Sequence, residues 1–200
     1  MSEPRVEVGR AVVALERIDD ALRRLHLDLL ERGVSADELS SWLRAAHWFP
    51  HLKYDEHIVE LARALPEDWQ TGTFCDPQVL LQFPHVGPEP EITFHVDQEP
   101  QWAEGRRYRR IVGVPLSRWT RENGGLLIER NGAPQSIELE PGDAVMMTPD
   151  LPHSGGINRT GSIRYGVYFR WLADAEGSTA FSSVRRSSAD SAPRGSGSQT

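Results

Sequence analysis

Residues Pro149–Trp171, PDLPHSGGINRTGSIRYGVYFRW, follow one strand-like run and end in another. The first run, Gly142 to Thr148, ends just before them, so His153 is predicted to lie at a strand end. After a Ser, Gly and Asn loop, Ile163–Trp171 is rich in β-branched and aromatic residues, which is typical of a buried strand. A returning loop would bring Arg164 alongside His153 on one sheet. We therefore predict that a metal ligand and an anion-binding arginine share one pocket.

Further ligands for that pocket are expected upstream, in His95-Val96-Asp97 at the end of the apolar run Ile92 to Phe94. On a strand, residues i and i+2 point to one face, so His95 and Asp97 can reach the same ion. Together with His153 they make two histidines and one carboxylate, a ligand set suited to non-haem Fe(II). A second copy, His26-Leu27-Asp28, lies in a helix-patterned stretch, where i and i+2 diverge. The open alternatives for the first set are a structural metal and a hydrogen-bonded polar cluster.

This combination resembles the Fe(II)- and 2-oxoglutarate-dependent dioxygenases, in particular the phytanoyl-CoA dioxygenase-like branch. The resemblance runs from about Pro77 to Leu172. The segments that carry it are His95-Val96-Asp97, His153, Arg164 eleven residues later, Asn158-Arg159 and Glu122-Asn123-Gly124-Gly125-Leu126. Gly155 stands where the family often has a serine, two residues after the distal histidine.

The resemblance implies a mainly β protein with N-terminal helices (α+β), built on a double-stranded β-helix, a cupin-like jelly roll. It also implies Fe(II) held by His95, Asp97 and His153, with Arg164 binding the far carboxylate of the co-substrate 2-oxoglutarate. The expected reaction uses O₂ to hydroxylate an unactivated C–H bond of a small polar molecule, such as an amino acid or a natural-product intermediate. Succinate and CO₂ would be released. Halogenation is disfavoured because Asp97 fills the position that a halide would need.

Two further residues are candidates for contacts with the co-substrate. Gln82 lies thirteen residues before His95 on a strand predicted to line the same cavity, and its amide could bind 2-oxoglutarate or serve a structural role. Trp102 follows Asp97 by five residues, so it could cover the metal and contact co-substrate or substrate, or simply pack. The arginines between 106 and 110 fit an exposed strand start, or one of them could bind an anionic substrate group.

Charge and cysteine content restrict the partners. The formal net charge is −7, and Ser178–Thr200 contributes +2 from three arginines and one aspartate, so the remainder carries −9. Such an acidic body disfavours nucleic acid and anionic membranes as partners. The single cysteine fits a reducing cytoplasm, and no apolar run is long enough for a signal core or a membrane span. We predict a cytoplasmic protein that binds a small molecule.

The pattern of elements predicts one domain with three regions. Residues 1–70 are expected to form helices packed on the core: Gly9 to Arg32, Ser35 to Trp48 and Asp55 to Ala64. Residues 71–175 are expected to form the β core, because short strand-like runs alternate with Gly and Pro. The predicted strands are Gln78 to Phe83, Glu91 to His95, Tyr108 to Leu116, Gly125 to Glu129, Gln135 to Leu139, Ala144 to Thr148, and Ile163 to Trp171. Residues 176–200 are expected to be a disordered tail.

The rival interpretation from another class is a non-catalytic jelly roll of the cupin or lectin type that senses a metal or a small ligand. It leaves the spacing between His153 and Arg164 without a purpose, because metal binding alone does not require an anion-binding arginine. Uncoupled release of succinate from 2-oxoglutarate would distinguish an oxygenase from such a protein.

Overall fold

The computed structural model describes residues 5–31, 56–97 and 108–173. In chain order the elements are β1 (Val6–Gly9), α1 (Leu15–Glu31), α2 (Glu56–Arg63), a 3₁₀ turn (Glu67–Trp69), β2 (Thr73–Gln82), β3 (Tyr108–Pro115), β4 (Leu126–Arg130), β5 (Ala133–Ile137), β6 (Ala144–Met147), β7 (His153–Gly155) and β8 (Arg164–Leu172). Several predicted features lie outside the described residues. They are the helix Ser35 to Trp48, Trp102, the first two arginines of the 106–110 cluster and the C-terminal tail.

The strands form two antiparallel sheets within the described residues. The larger sheet has the order β1-β6-β3-β8-β2, and the smaller has the order β5-β4-β7. Within the larger sheet, β8 pairs with β2 along one side and with β3 along the other. The protein is therefore mainly β, as predicted, with its longest strands next to β8.

The outer face of the larger sheet is covered by the helices. On β8 the odd positions Val167, Phe169 and Trp171 are buried in this layer, and Val112 and Val114 of β3 join them. The helices contribute an apolar stripe at helical spacing: Ile18, Ala21 and Leu25 from α1, and Ile58, Leu61 and Ala62 from α2. The predicted packing of α1 and α2 on one face of a sheet is therefore present in the structure.

The inner face of the larger sheet packs against the smaller sheet. Their shared core contains Ile111, Val145, Met147 and Tyr168 from the larger sheet, and Leu126 and Ile128 from the smaller. Trp119 is completely buried in this layer, and its indole N–H donates to the backbone oxygen of Tyr165 at 3.0 Å. The even positions of β8 thus face the space between the sheets, which is where the functional side chains are found.

Glycines on two neighbouring strands make room for Trp119. A Cβ added at Gly166 of β8 would lie 2.3 Å from Cζ2 of the indole, and one added at Gly113 of β3 would lie 3.1 Å from Cη2. Real Cβ atoms do not make a contact of 2.3 Å, and a contact of 3.1 Å would force the indole to shift, so the indole lies against the sheet where side chains are absent. The two glycines are therefore required by packing.

Three sequence predictions are corrected by the structure. The N-terminal helix begins at Leu15, whereas its predicted start was Gly9, and Val6–Gly9 form β1, which pairs with β6. The run Glu91 to His95 is not a strand, because only His95 pairs, in an isolated bridge to His153. β2 begins five residues before the predicted start, and a bulge between Phe74 and Pro77 allows the strand to include that proline.

A tight turn connects β4 and β5. Asn131 and Gly132 have φ angles of 54° and 73°, the left-handed conformation of a two-residue type I′ hairpin.

In the part of the chain that the structure describes, no helix is long and apolar enough to cross a membrane.

Asp143, next to β6, holds the residues that follow β1. The carboxylate of Asp143 accepts hydrogen bonds from the backbone N–H groups of Ala11 (3.0 Å) and Glu140 (2.9 Å) and from Nη1 of Arg10 (2.5 Å). Burial by itself raises the pKa of Asp143, but these hydrogen bonds outweigh it and hold the pKa below its ordinary value of 3.8. The charged carboxylate therefore stabilises the fold.

We expect Gly166→Ala to lower the free energy of unfolding by about 1–3 kcal/mol, because the added methyl overlaps the indole of Trp119. Urea denaturation measures this change. Gly161→Ala is the matched control, because a Cβ at Gly161 meets nothing within 4 Å. An unchanged midpoint for Gly166→Ala would show that Trp119 does not lie against β8.

Asp143→Asn should cost about 1–3 kcal/mol at pH 7, because the charged acceptor of three hydrogen bonds is lost. The folded-state pKa is lowered, so this stability is present above the unfolded pKa and disappears as pH falls through the folded value. Parent and variant should therefore converge below about pH 4. Denaturation at several pH values tests this, with the exposed Asp150→Asn as control; a gap independent of pH would contradict it.

Candidate active site

Three potential metal ligands meet at the edge of the smaller sheet. His95, Asp97 and His153 each offer a ligand atom, and these atoms all lie within 4.8 Å of one another. Nε2 of His95 lies 3.6 Å from Oδ1 of Asp97, and Nε2 of His153 lies 3.8 Å from Oδ2 of the same carboxylate. The structure thus brings together the three residues that the sequence singled out.

Backbone hydrogen bonds hold the two ligand segments side by side. The N–H of His95 donates to the carbonyl of His153 at 3.0 Å, and the N–H of His153 donates back at 2.9 Å. The N–H of Asp97 donates to the carbonyl of Pro149 at 3.0 Å. Because the backbone of both segments is anchored, only side-chain rotation is needed to bring the donor atoms closer.

The tautomer of His153 suits a ligand. Its Nδ1 lies 2.9 Å from the carbonyl oxygen of Leu151, an acceptor, so Nδ1 carries the proton and Nε2 keeps its lone pair. His153 is buried, whereas the His95 side chain is 57% exposed and that of Asp97 is 27% exposed. The site therefore has one closed side and one side open to solvent.

The arrangement fits a divalent ion of the first transition series. Two neighbouring ligands about 2.1 Å from an octahedral ion lie about 3 Å apart. The two distances to the carboxylate are within about 1 Å of that value, and both nitrogens involved are Nε2 atoms. Two histidines and one carboxylate leave the remaining coordination positions open, which is the donor set of the non-haem Fe(II) oxygenases.

Arg164 is a buried cation in the same interior. It is only 3% exposed, and its Nε and Nη1 atoms have no hydrogen-bond acceptor. No carboxylate of the described residues lies within ion-pair distance of it. Burial lowers the pKa of Arg164, and the neighbouring Tyr168 hydroxyl opposes that effect; a guanidinium nevertheless stays protonated in proteins. A buried charge without an anionic partner carries a large cost, which an anion bound beside it would reduce.

His153 and Arg164 do not lie on one sheet, contrary to the prediction. His153 begins β7 in the smaller sheet, and Arg164 begins β8 in the larger, so they face one interior from two sides. The connecting loop is held by Asn158, whose Nδ2 donates to the carbonyls of Gln82 and Ser162, each at 2.8 Å. This loop therefore links the smaller sheet to the larger one.

Gln82 connects the two sheets next to the arginine. Its Oε1 accepts a hydrogen bond from Nη2 of Arg164 at 3.2 Å, and its Nε2 donates to the carbonyl of Gly156 at 3.0 Å. Gln82 and Arg164 are also directly opposite each other across β2 and β8. Its amide thus orients the guanidinium.

Two aromatic residues that the sequence analysis missed complete the pocket. The guanidinium of Arg164 lies over the Trp119 ring, 4.9 Å from its centroid, and Trp119 stacks on Tyr168 at 5.4 Å. Burial raises the pKa of Tyr168 to about 12, while the charges of Arg164 and Asp97 act on it in opposite directions. Its position four residues after Arg164, on the same face of β8, was the available signal.

The hydroxyl next to His153 in the sequence belongs to Ser154, and it does not face the interior. Gly155 faces the interior with His153, and a Cβ there would lie 3.5 Å from Oε1 of Gln82. Ser154 is on the opposite face of β7 and its hydroxyl donates to the carbonyl of Gly155 at 3.2 Å. Ser154 therefore does not substitute for the missing side chain.

Comparison with known proteins supports the fold. No protein-family model matches the chain, and no curated protein matches it. AviO1 from Streptomyces viridochromogenes Tue57 has a similar structure, with a TM-score of 0.53 at 19% identity over 88% of this chain and 93% of that one. The epimerase SnoN, in complex with Fe3+, alpha ketoglutarate and nogalamycin RO, gives 0.55 at 15% identity over 88% and 87%.

A third similar structure is CytC3 with Fe(II) and alpha-ketoglutarate, with a TM-score of 0.54 at 16% identity over 84% of this chain and 72% of that one. These structural neighbours include non-haem iron and alpha-ketoglutarate enzymes. The chain therefore has the fold that such enzymes use.

His153→Ala should weaken Fe(II) binding by more than about 100-fold, because even a lost second-shell partner of a ligand costs 10–100-fold. Anaerobic Fe(II) titration measures the affinity. His57→Ala is the matched control, because His57 is exposed on α2, on the helical side of the sheet. Equal affinity in His153→Ala and the parent would show that the ion binds elsewhere.

Proposed function

We propose that this protein is a non-haem Fe(II)- and 2-oxoglutarate-dependent oxygenase that hydroxylates a C–H bond of a small polar molecule. One observation carries the proposal: a cluster of two histidines and a carboxylate faces the same interior as a buried arginine that has no acidic partner among the described residues. The cluster supplies a metal site with open positions, and the arginine supplies the charge for a dicarboxylic co-substrate.

His95, Asp97 and His153 would hold the metal, and Arg164 would hold the distal carboxylate of 2-oxoglutarate. When bound, iron and 2-oxoglutarate supply the oxidising chemistry: O₂ is consumed, the 2-oxo acid is converted to succinate and CO₂, and one oxygen atom enters the substrate. The protein's part is to position both groups and to keep water from the reacting carbon.

Each residue's task follows from its surroundings. The Leu151 carbonyl fixes the His153 ring, so Nε2 stays directed at the ion. The Asp97 carboxylate lies within reach of both histidines and neutralises one positive charge of the metal. Gln82 holds Nη2 of Arg164, which leaves Nε and Nη1 to donate to the co-substrate.

The open side of the site supports substrate access near His95, whose side chain is the most exposed of the three ligands. A carboxylate completes the ligand set, so no position is reserved for a halide, and hydroxylation is the reaction we propose. We further infer that the two sheets form a double-stranded β-helix and that the motif spacing places the chain nearest the phytanoyl-CoA dioxygenase-like branch.

The test combines iron and 2-oxoglutarate binding in the parent and in Arg164→Leu. Under anaerobic conditions the parent with Fe(II) should develop a weak visible charge-transfer band on adding 2-oxoglutarate. Arg164→Leu should still bind Fe(II), but its affinity for 2-oxoglutarate should fall by two to four decades, since breaking a buried charge pair costs about 3–5 kcal/mol.

Misfolding is controlled in two ways. Without ligand, Arg164→Leu should be at least as stable as the parent, because it removes a buried charge with no carboxylate partner in the described part of the chain. Arg118→Leu is the matched substitution, because Arg118 is exposed and pairs with Glu140 at 2.7 Å. A parent that forms no band and releases no succinate in air would contradict the proposal and favour a non-catalytic metal-binding protein.

A further inference from the structure

We propose that the ion pair between Arg159 and Glu89 is a clamp that positions the metal-binding segment. The pair joins the stretch before His95 to the loop after His153, so we assign both partners as positioning residues of the metal site. This inference rests on the proposed function, because it concerns the affinity of that same site for Fe(II). It gives a task to two exposed residues that are not metal ligands themselves.

Each partner of the clamp lies close in sequence to a metal ligand. Glu89 precedes His95 by six residues, and Arg159 follows His153 by six. His95 and His153 already meet in an isolated β-bridge. The two chain segments are therefore joined twice, once by the backbone at the metal ligands and once by the ion pair at the other end.

The loop that carries Arg159 is the firmly held side of the clamp. The backbone N–H of Arg159 donates to the carbonyl of Glu122 at 2.7 Å. The preceding residue, Asn158, is completely buried, and its Nδ2 donates to the carbonyls of Gln82 and Ser162. The guanidinium is therefore attached to a loop whose backbone is fixed independently of the ion pair.

The segment that carries Glu89 has fewer attachments. The N–H of His85 donates to the carbonyl of Asn158 at 2.7 Å, and backbone pairing resumes at His95. The nine residues between these two positions form no helix or strand, and they make no backbone–backbone hydrogen bond to any other described residue. The carboxylate of Glu89 therefore restricts a segment that would otherwise be free to move next to His95.

The geometry of the pair is that of a directional ion pair. Nε of Arg159 donates to Oε1 of Glu89 at 2.5 Å, and Nη2 donates to Oε2 at 2.8 Å, so the guanidinium binds both carboxylate oxygens. The two side chains are 40% and 52% exposed, so water and salt weaken their attraction. The clamp therefore has a modest effect that depends on salt.

The decisive variant is Arg159→Gln, because two explanations predict opposite results for it. A positive charge near the site repels Fe(II), so its removal by itself would tighten Fe(II) binding. Loss of the clamp instead frees the segment before His95, and we expect the Kd for Fe(II) to rise about two- to fivefold, the range of an exposed ion pair. Anaerobic Fe(II) titration in competition with a chelator measures the Kd.

Exchanging the two charges provides the rescue experiment. Glu89→Arg and Arg159→Glu should each weaken Fe(II) binding, because each places two like charges side by side. The double variant with both substitutions should bind Fe(II) more tightly than either single variant, because the pair is restored with its ends exchanged. In about 1 M salt, where charges are screened beyond about 3 Å, the difference between Arg159→Gln and the parent should shrink.

Arg118→Gln is the matched control, because Arg118 forms an exposed ion pair with Glu140 at 2.7 Å between two segments that carry no metal ligand. It should bind Fe(II) like the parent. Unchanged or tighter binding in Arg159→Gln overturns the inference, and so does a double variant that rescues nothing. If the parent binds no Fe(II), the proposed function fails; if the parent binds Fe(II) and Arg159→Gln binds it equally well, the proposed function stands without the clamp.

Discussion

A positive charge enclosed between two sheets is the constraint around which this structure is arranged. Arg164 is almost entirely removed from solvent, and within the described residues no acidic group balances it. Such a group is tolerated only when its surroundings compensate in part, and here they are an amide oxygen, an aromatic face and a phenol. The remaining deficit is what a dicarboxylic ligand would relieve.

The residues that surround Arg164 are far apart in the sequence, and each has a structural reason that involves the arginine. Gly113 and Gly166 leave the space that the Trp119 indole fills, and the indole supplies the face over which the guanidinium lies. Asn158, completely buried, ties the loop before Arg164 to the backbone of Gln82. Each of these residues acts on the arginine through another group, so none of them shows its role in local sequence alone.

The sequence identified the residues with chemical character but not their mutual arrangement. The spacing of His95, Asp97, His153 and Arg164 follows from a covalent pattern, so it could be found without coordinates. Which sheet each residue joins depends on a loop of eight residues, whose path is set by side-chain hydrogen bonds. The prediction that His153 and Arg164 share a sheet was wrong for that reason.

Other differences have equally specific causes. β1 was not predicted as a strand, because it is four residues long and its partner β6 lies far away in the sequence. β7 has three residues, too few to show the alternation of apolar and polar residues that predicts a strand. The run before His95 shows this alternation but makes only one bridge. Tyr168 and Trp119 were missed because aromatic residues in a strand are ordinarily core, and only the strand's face distinguishes them.

The alternation of β8 separates two kinds of demand on one strand. Odd positions such as Val167 and Phe169 contact the helical layer, while even positions such as Arg164 and Tyr168 face the interior between the sheets. Substitutions on the helical side and substitutions in the proposed site can therefore fall on adjacent residues with little mutual interference. The helical side could be repacked to suit a new temperature while the interior stays unchanged, or the interior could change on an unchanged frame.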